Sequence, residues 1–98
     1  MKIIATNGTE TGRVTLAHWW PGRLTFEIPY HVIRKAYQDR TRYLTYIRAE
    51  VGDGEVTAWA RCHPVKDRQS SREKGRFIAL LRLARALKKL GWRLEKRD

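Results

Sequence analysis

Four side chains offer the usual starting points for chemistry: His18, His31, His63 and the lone Cys62. Cys62 and His63 are adjacent, and neighbours in an extended strand point to opposite faces, so the two do not converge on one site. Zinc wants four ligands at spacings such as Cys-x2-Cys and His-x3-His, and neither spacing occurs. Cys62 therefore reads as a small buried apolar residue. The acids Glu50, Asp53 and Glu55 lie close enough in sequence to suggest a divalent-metal nuclease. Asp53 is accounted for by a turn, however, and the other two by solvated strand ends. No glycine-rich phosphate loop or Ser-His-Asp order is present, so the reading is of a protein that is not an enzyme and needs no cofactor.

The basic residues carry the stronger signal. The formal net charge is +11, and Arg outnumbers Lys by 14 to 7. Residues 1–60 hold 8 basic and 6 acidic side chains, whereas residues 61–98 hold 13 and 4. That excess repels itself unless an anionic partner neutralises it, and the partner is expected to meet the C-terminal third. Arg suits bidentate phosphate contacts and stacking, although a GC-rich or thermophilic genome also raises its count, and composition leaves both readings open. Arg61, Lys66, Arg68, Arg72, Lys74 and Arg76 run toward and into a helix start, with Ser70 and Ser71 among them. Free amides at a helix N-terminus attract anions, and flanking cations make the attraction multivalent. Ser70 to Arg76 is thus the preferred phosphate-binding knuckle, against the alternative of a capped, solvated helix start.

The elements that position these residues read as one α+β domain over residues 1–98, an antiparallel sheet of about five strands packed by a long C-terminal amphipathic helix. Strands are expected at 2–6, 13–19 and Leu24–Ile28, the last from its apolar alternation after Pro21-Gly22. Helical spacing of Tyr30, Val32, Ile33, Ala36 and Tyr37 predicts a short helix near residues 30–39. The long helix is expected from about Ser71 to Leu90. Ser70 and Glu73 match a capping box, Gly91 marks the stop, and Trp92 is placed to fold back over Leu87. A helical wheel puts Phe77, Leu80, Leu83, Ala84, Leu87 and Leu90 toward the core. It puts Lys74, Arg82, Arg85, Lys88 and Lys89 on most of the opposite face, with Ile78 among them as a scattered surface apolar or a partner contact. Gly75, Ala79 and Ala86 form a stripe of small residues along which another backbone could approach closely.

Tyr43 to Val51 and Glu55 to Cys62 flank Asp53-Gly54, a favoured two-residue hairpin turn. Taken literally, that turn sets Val51 opposite Val56, Ala49 opposite Ala58, Ile47 opposite Ala60 and Thr45 opposite Cys62 on a face that must meet the core. The other face carries Glu50 with Thr57, Arg48 with Trp59 and Tyr46 with Arg61. Tyr46 and Trp59 there are either a stacking platform for unpaired bases or are covered by the N-terminal strands with Trp19, Trp20 and Phe26. Covering is the expected outcome, because so short a chain rarely leaves two aromatics idle.

The stretch from Trp59 through Leu90 contains Cys62-His63-Pro64, Asp67, Ser71, Gly75-Arg76, Ile78-Ala79-Leu80 and Arg85-Ala86. In this it resembles small proteins of phages and mobile elements in which a strand precedes a helix containing Gly-Arg, and the resemblance implies a viral setting. In outline Ser70, Ser71, Arg72, Lys74 and Arg76 are also similar to the phosphate-contacting helix start of double-stranded RNA-binding domains. Glu73 interrupts the basic run, and no third strand separates hairpin from helix, so this likeness is one of mechanism.

The expected function is nucleic-acid binding, DNA or RNA, by Arg61, Lys66, Arg68, Ser70, Ser71, Arg72, Lys74, Arg76, Arg82, Arg85 and Lys89. The alternative is an inhibitor or adaptor of phage type that docks its basic face on an acidic host protein surface. The first residues are apolar for too short a run to be a signal peptide or membrane span, and one cysteine allows no intrachain disulfide. A cytoplasmic protein without a membrane partner is expected.

Overall fold

A computed structural model describes residues 2–62 and 72–97. The strands are β1 (Lys2–Thr6), β2 (Thr11–Trp19), β3 (Tyr43–Val51), β4 (Gly54–Cys62) and β5 (Arg93–Arg97), and the helices are α1 (Tyr30–Gln38) and α2 (Arg72–Lys88). The strands form one antiparallel sheet in the order β4-β3-β2-β1-β5. The fold class is therefore α+β with five strands, but the fifth strand is not the one expected. Leu24–Ile28 forms no strand: β2, the strand it follows, is flanked by β1 and β3, so the segment has no place beside it. Arg93–Arg97 pairs instead with β1, setting Leu94 opposite Ala5. It is a polar edge strand, and only Leu94 reports its inner face, by packing on the core.

Each face of the sheet carries one helix. On the first face Ala5, Ile47, Ala49, Ala58 and Ala60 meet Ala79, Leu83 and Leu87 of α2. On the second, Ala17, Trp19, Leu44 and Tyr46 meet Val32 and Ala36 of α1, with Ile28 from the preceding loop completing the cluster. β3 is covered on both faces, which explains a run of four buried residues in a strand whose neighbours alternate. The N-terminal strands lie beside the hairpin in the same sheet, so Tyr46 is covered by α1 and Ile28, correcting the expected cover.

The hairpin register is displaced by two residues from the literal Asp53-Gly54 reading. Val51 faces Gly54, Ala49 faces Val56, Ile47 faces Ala58 and Tyr46 faces Trp59, which makes Gly52-Asp53 the connecting pair. Gly52 has φ +58 and Asp53 is not among the positive-φ residues, the pattern of a type II′ turn with glycine first. A displacement of two preserves every inward and outward assignment, so the alanine face still meets the core.

Helix α2 is 17 residues long and ends at Lys88, two residues before the expected Leu90, with the expected stop at Gly91. Trp92 N–H bonds to Leu87 C=O at 3.0 Å and Gly91 N–H to Lys88 C=O at 3.1 Å, the paired bonds of a Schellman stop, with Trp92 packed on the same core as Leu87. The wheel, in contrast, is rotated. Phe77 and Leu90 are exposed, while Ile78 packs on the core cluster and Ala79 is fully buried. The small stripe is the reason: a Cβ built on Gly75 would stand 2.8 Å from Thr45 Oγ1, so the helix lies against the sheet along its smallest side chains.

Candidate nucleic-acid interface

Lys74, Phe77, Leu81, Arg85 and Lys88 are all exposed and recur at intervals of three and four, which puts them on one stripe along the outer side of α2. From Lys74 to Lys88 this stripe spans about 21 Å. Arg76 and Lys89 are exposed beside it. Between Arg72 and Lys89 the chain carries seven basic residues and one acid, Glu73. Among the described residues Arg76, Arg85, Lys88 and Lys89 form no ion pair, whereas three acids elsewhere, Asp39, Glu55 and Glu95, have partners. Asp39 meets Lys35 at 3.7 Å and also Arg61, Glu55 meets Arg48 at 3.7 Å, and Glu95 meets Arg93 and Arg97 at 3.6 and 3.7 Å. The outer side of α2 thus carries a run of cations with one acid, Glu73, among them.

The other expected contacts are dispersed. Arg61 sits on the sheet face that carries α1 and is paired with Asp39 at the end of that helix, so the sheet separates it from Arg85 and Lys88. It does not join the cluster. Arg82 lies at the border of α2 and donates through Nη1 to the Trp59 carbonyl at 2.7 Å. β4 is an edge strand, so this bond satisfies a carbonyl that no strand can reach and blunts the edge against another chain. Lys66, Arg68, Ser70 and Ser71 lie outside the described residues, as does the side chain of Arg72, so the proposed knuckle and its capping box are described only from Glu73 onward.

The aromatic pair is real but is not a platform. Tyr46 and Trp59 face each other across the hairpin with ring centroids 6.3 Å apart and planes 15° apart. Tyr46 is only 5% exposed and belongs to the core under α1, which removes it as a stacking surface. Trp59, at 38%, is exposed at the sheet edge.

Glu50 stands opposite Glu55 with Asp53 in the turn between them, and all three are exposed. Among the described residues no group of three His, Cys, Asp or Glu side chains is placed to hold a metal. His18 shares a hydrogen bond with Thr45 Oγ1 at 3.2 Å and stacks on Tyr43, so it serves the packing between β2 and β3. Among the described residues no helix is long and apolar enough to cross a membrane. Set against protein families, curated proteins and solved structures, the chain matches none of them.

Two features escaped the sequence reading. Phe77 and Leu81, 63% and 43% exposed, sit in the middle of the basic stripe and not in the core. Leu24 and Phe26 stand out from the loop between β2 and α1. The alanine-lined hairpin face could have exposed the first error, because alanines on a sheet admit a helix only along its own small residues.

Proposed function

We propose that the chain is a small basic accessory protein that binds nucleic acid through phosphate contacts along the outer side of α2. One observation supports this above the others: Arg76, Arg85, Lys88 and Lys89 form no ion pair among the described residues, while Asp39, Glu55 and Glu95 are each paired with cations elsewhere. Lys74, Arg85, Lys88 and Lys89, with Arg72 and Arg76 at the helix start, supply a footprint of four to six phosphates (roughly, one per side chain). The flanking residues Lys66, Arg68, Ser70 and Ser71 would widen it. Phosphate contacts carry no sequence information by themselves, so the binding is expected to be general.

Affinity for a labelled oligonucleotide should fall with salt along a log-log slope of about −3 to −5. Replacing Arg85, Lys88 and Lys89 by Gln should weaken binding several-fold more than replacing Lys2, Arg13 and Lys96, which removes the same formal charge from the sheet. Equal losses would mean a diffuse field with no interface on α2. Absence of binding at about 50 mM salt would reject the reading altogether.

A second reading is favoured by Phe77 and Leu81. An apolar pair ringed by cations also suits an inhibitor or adaptor whose partner protein offers an apolar groove with an acidic rim. A stoichiometric protein partner that survives nuclease treatment would favour this reading over the first.

A further inference from the structure

The loop joining β2 to α1 is held firmly yet presents its largest apolar groups to solvent. Trp19 Nε1 donates to the Arg23 carbonyl at 3.1 Å, the Arg23 guanidinium lies 4.6 Å over the Trp20 ring, and Gly22 N–H donates to Tyr37 Oη at 3.3 Å. Ile28 anchors the far end in the core. Between these ties Leu24 is 91% exposed, Phe26 is fully exposed, and Tyr30 follows at 77%. The three side chains together offer on the order of 500 Å² of surface. A standard interface buries about 800 Å² per partner, little more than half of it apolar, so this loop alone could supply the apolar share.

Beside the loop is a cavity of about 180 Å³ lined by Thr15, Leu16, Ala17, Tyr46, Arg48 and Glu27. It opens on the part of the second sheet face that α1 leaves bare. Glu27, which lines it, is the immediate neighbour of Phe26, so a projecting aromatic and a recess are one residue apart along the chain. That juxtaposition is what two-fold association requires, because each copy must present both the group that inserts and the hole that receives it.

We infer that the chain forms a two-fold homodimer in which Phe26 of each copy enters the Thr15–Arg48 recess of the other. The contact is separate from the basic stripe of α2, and it does not depend on nucleic-acid binding. Its salt response also has the opposite sign. Two copies of a chain at +11 repel, so screening strengthens an apolar contact between them while it weakens phosphate contacts.

Sedimentation velocity on nuclease-treated protein over a range of concentrations tests this. A monomer–dimer equilibrium that tightens from ~0.1 to ~0.5 M salt is expected. Phe26→Asp should weaken it at least tenfold with the melting temperature unchanged, since Phe26 is fully exposed. Thr15→Trp, which fills the recess, should do the same. Mixing the two variants should restore association in part, because the intact Phe26 of one meets the intact recess of the other while the second of the two contacts stays broken. The inference is overturned by a chain that stays monomeric at high protein concentration and high salt, by dimers indifferent to Phe26→Asp, or by a mixture that associates no better than either variant alone. A monomer that sediments with anionic vesicles through Phe26 would also overturn it, assigning the loop to a lipid surface.

Discussion

The two faces of the sheet are packed by opposite means. Under α1 the core is made of large side chains, Trp19, Tyr46, Leu44 and Ile28, which hold a nine-residue helix and a long loop in place. Under α2 it is made of small ones, with Ala5, Ala49, Ala58, Ala60 and Ala79 contributing five of the eight fully packed residues. The consequence is geometric. A helix that approaches through Gly75 and Ala79 has its bulky residues at other angles of the wheel, and Phe77 and Leu81 are left pointing away from the sheet. The difference teaches that size, as well as polarity, decides which side of a helix is the inside.

Removing the largest member of the first core should have the largest effect. Trp19 is fully buried, packs edge-on against Tyr37 at 5.0 Å and ties the loop through Arg23. Trp19→Ala should cost about 3–5 kcal/mol and lower the melting temperature by ~15 °C or more. Enlarging a member of the second core should come next. Ala79→Leu has no room between α2 and the alanines of β4, and overpacking of this kind costs about 1–3 kcal/mol. Calorimetry on both variants checks the comparison: if Ala79→Leu is neutral, the close approach of α2 is not a constraint.

How much of this was legible follows from the same contrast. The hairpin faces, the α1 segment and the Gly91 stop were readable because each rests on local chemistry: alternation, helical spacing, and a glycine followed by Trp92. The register needed one more fact, that Gly52 rather than Gly54 takes the positive φ, and no local rule chooses between two glycines flanking one aspartate. Leu24–Ile28 has the pattern of a strand, but a strand is a property of a pair, and the partner edge went to β1. β5 carried almost no pattern, since an exposed edge strand needs only Leu94 to face inward. Lys74, Arg82, Arg85, Lys88 and Lys89 are exposed as the wheel places them, whereas the engagement of Arg61 by Asp39 and of Arg82 by the Trp59 carbonyl was not legible, because those partners are remote in sequence.

A smaller effect sharpens the argument by its sign. Gly75→Ala should favour the helix by about 1 kcal/mol from backbone propensity alone. Its new Cβ would meet Thr45 Oγ1 at 2.8 Å, however, and Thr45 is fully buried and held by His18. A net loss of about 1 kcal/mol is expected, because the neighbour that must move is a branched side chain in a closed site. In a Thr45→Ala background the clash disappears, and Gly75→Ala should turn stabilising. Chemical denaturation of the four proteins gives the cycle, and an unchanged sign would show that something other than this contact governs the approach.

The smallest stability effect expected is that of Phe77→Ala. The wheel places Phe77 in the core, where truncation would cost about 3–5 kcal/mol. The structure leaves it exposed on the outer stripe, where the change should fall within ~0.5 kcal/mol of neutral. Leu81→Ala should behave alike. Because the fold is then untouched, the same variants report on function without ambiguity. On the proposed reading phosphate contacts come from Lys74, Arg85, Lys88 and Lys89, so oligonucleotide affinity should change less than about twofold if nucleic acid is bound through its backbone alone. A partner protein with an apolar groove would instead have Phe77 at the centre of the contact, and truncating a central aromatic costs ~2 kcal/mol or more, a loss of tenfold or greater. Melting curves and oligonucleotide titrations on one preparation of Phe77→Ala therefore test the packing of α2 and the identity of its partner together.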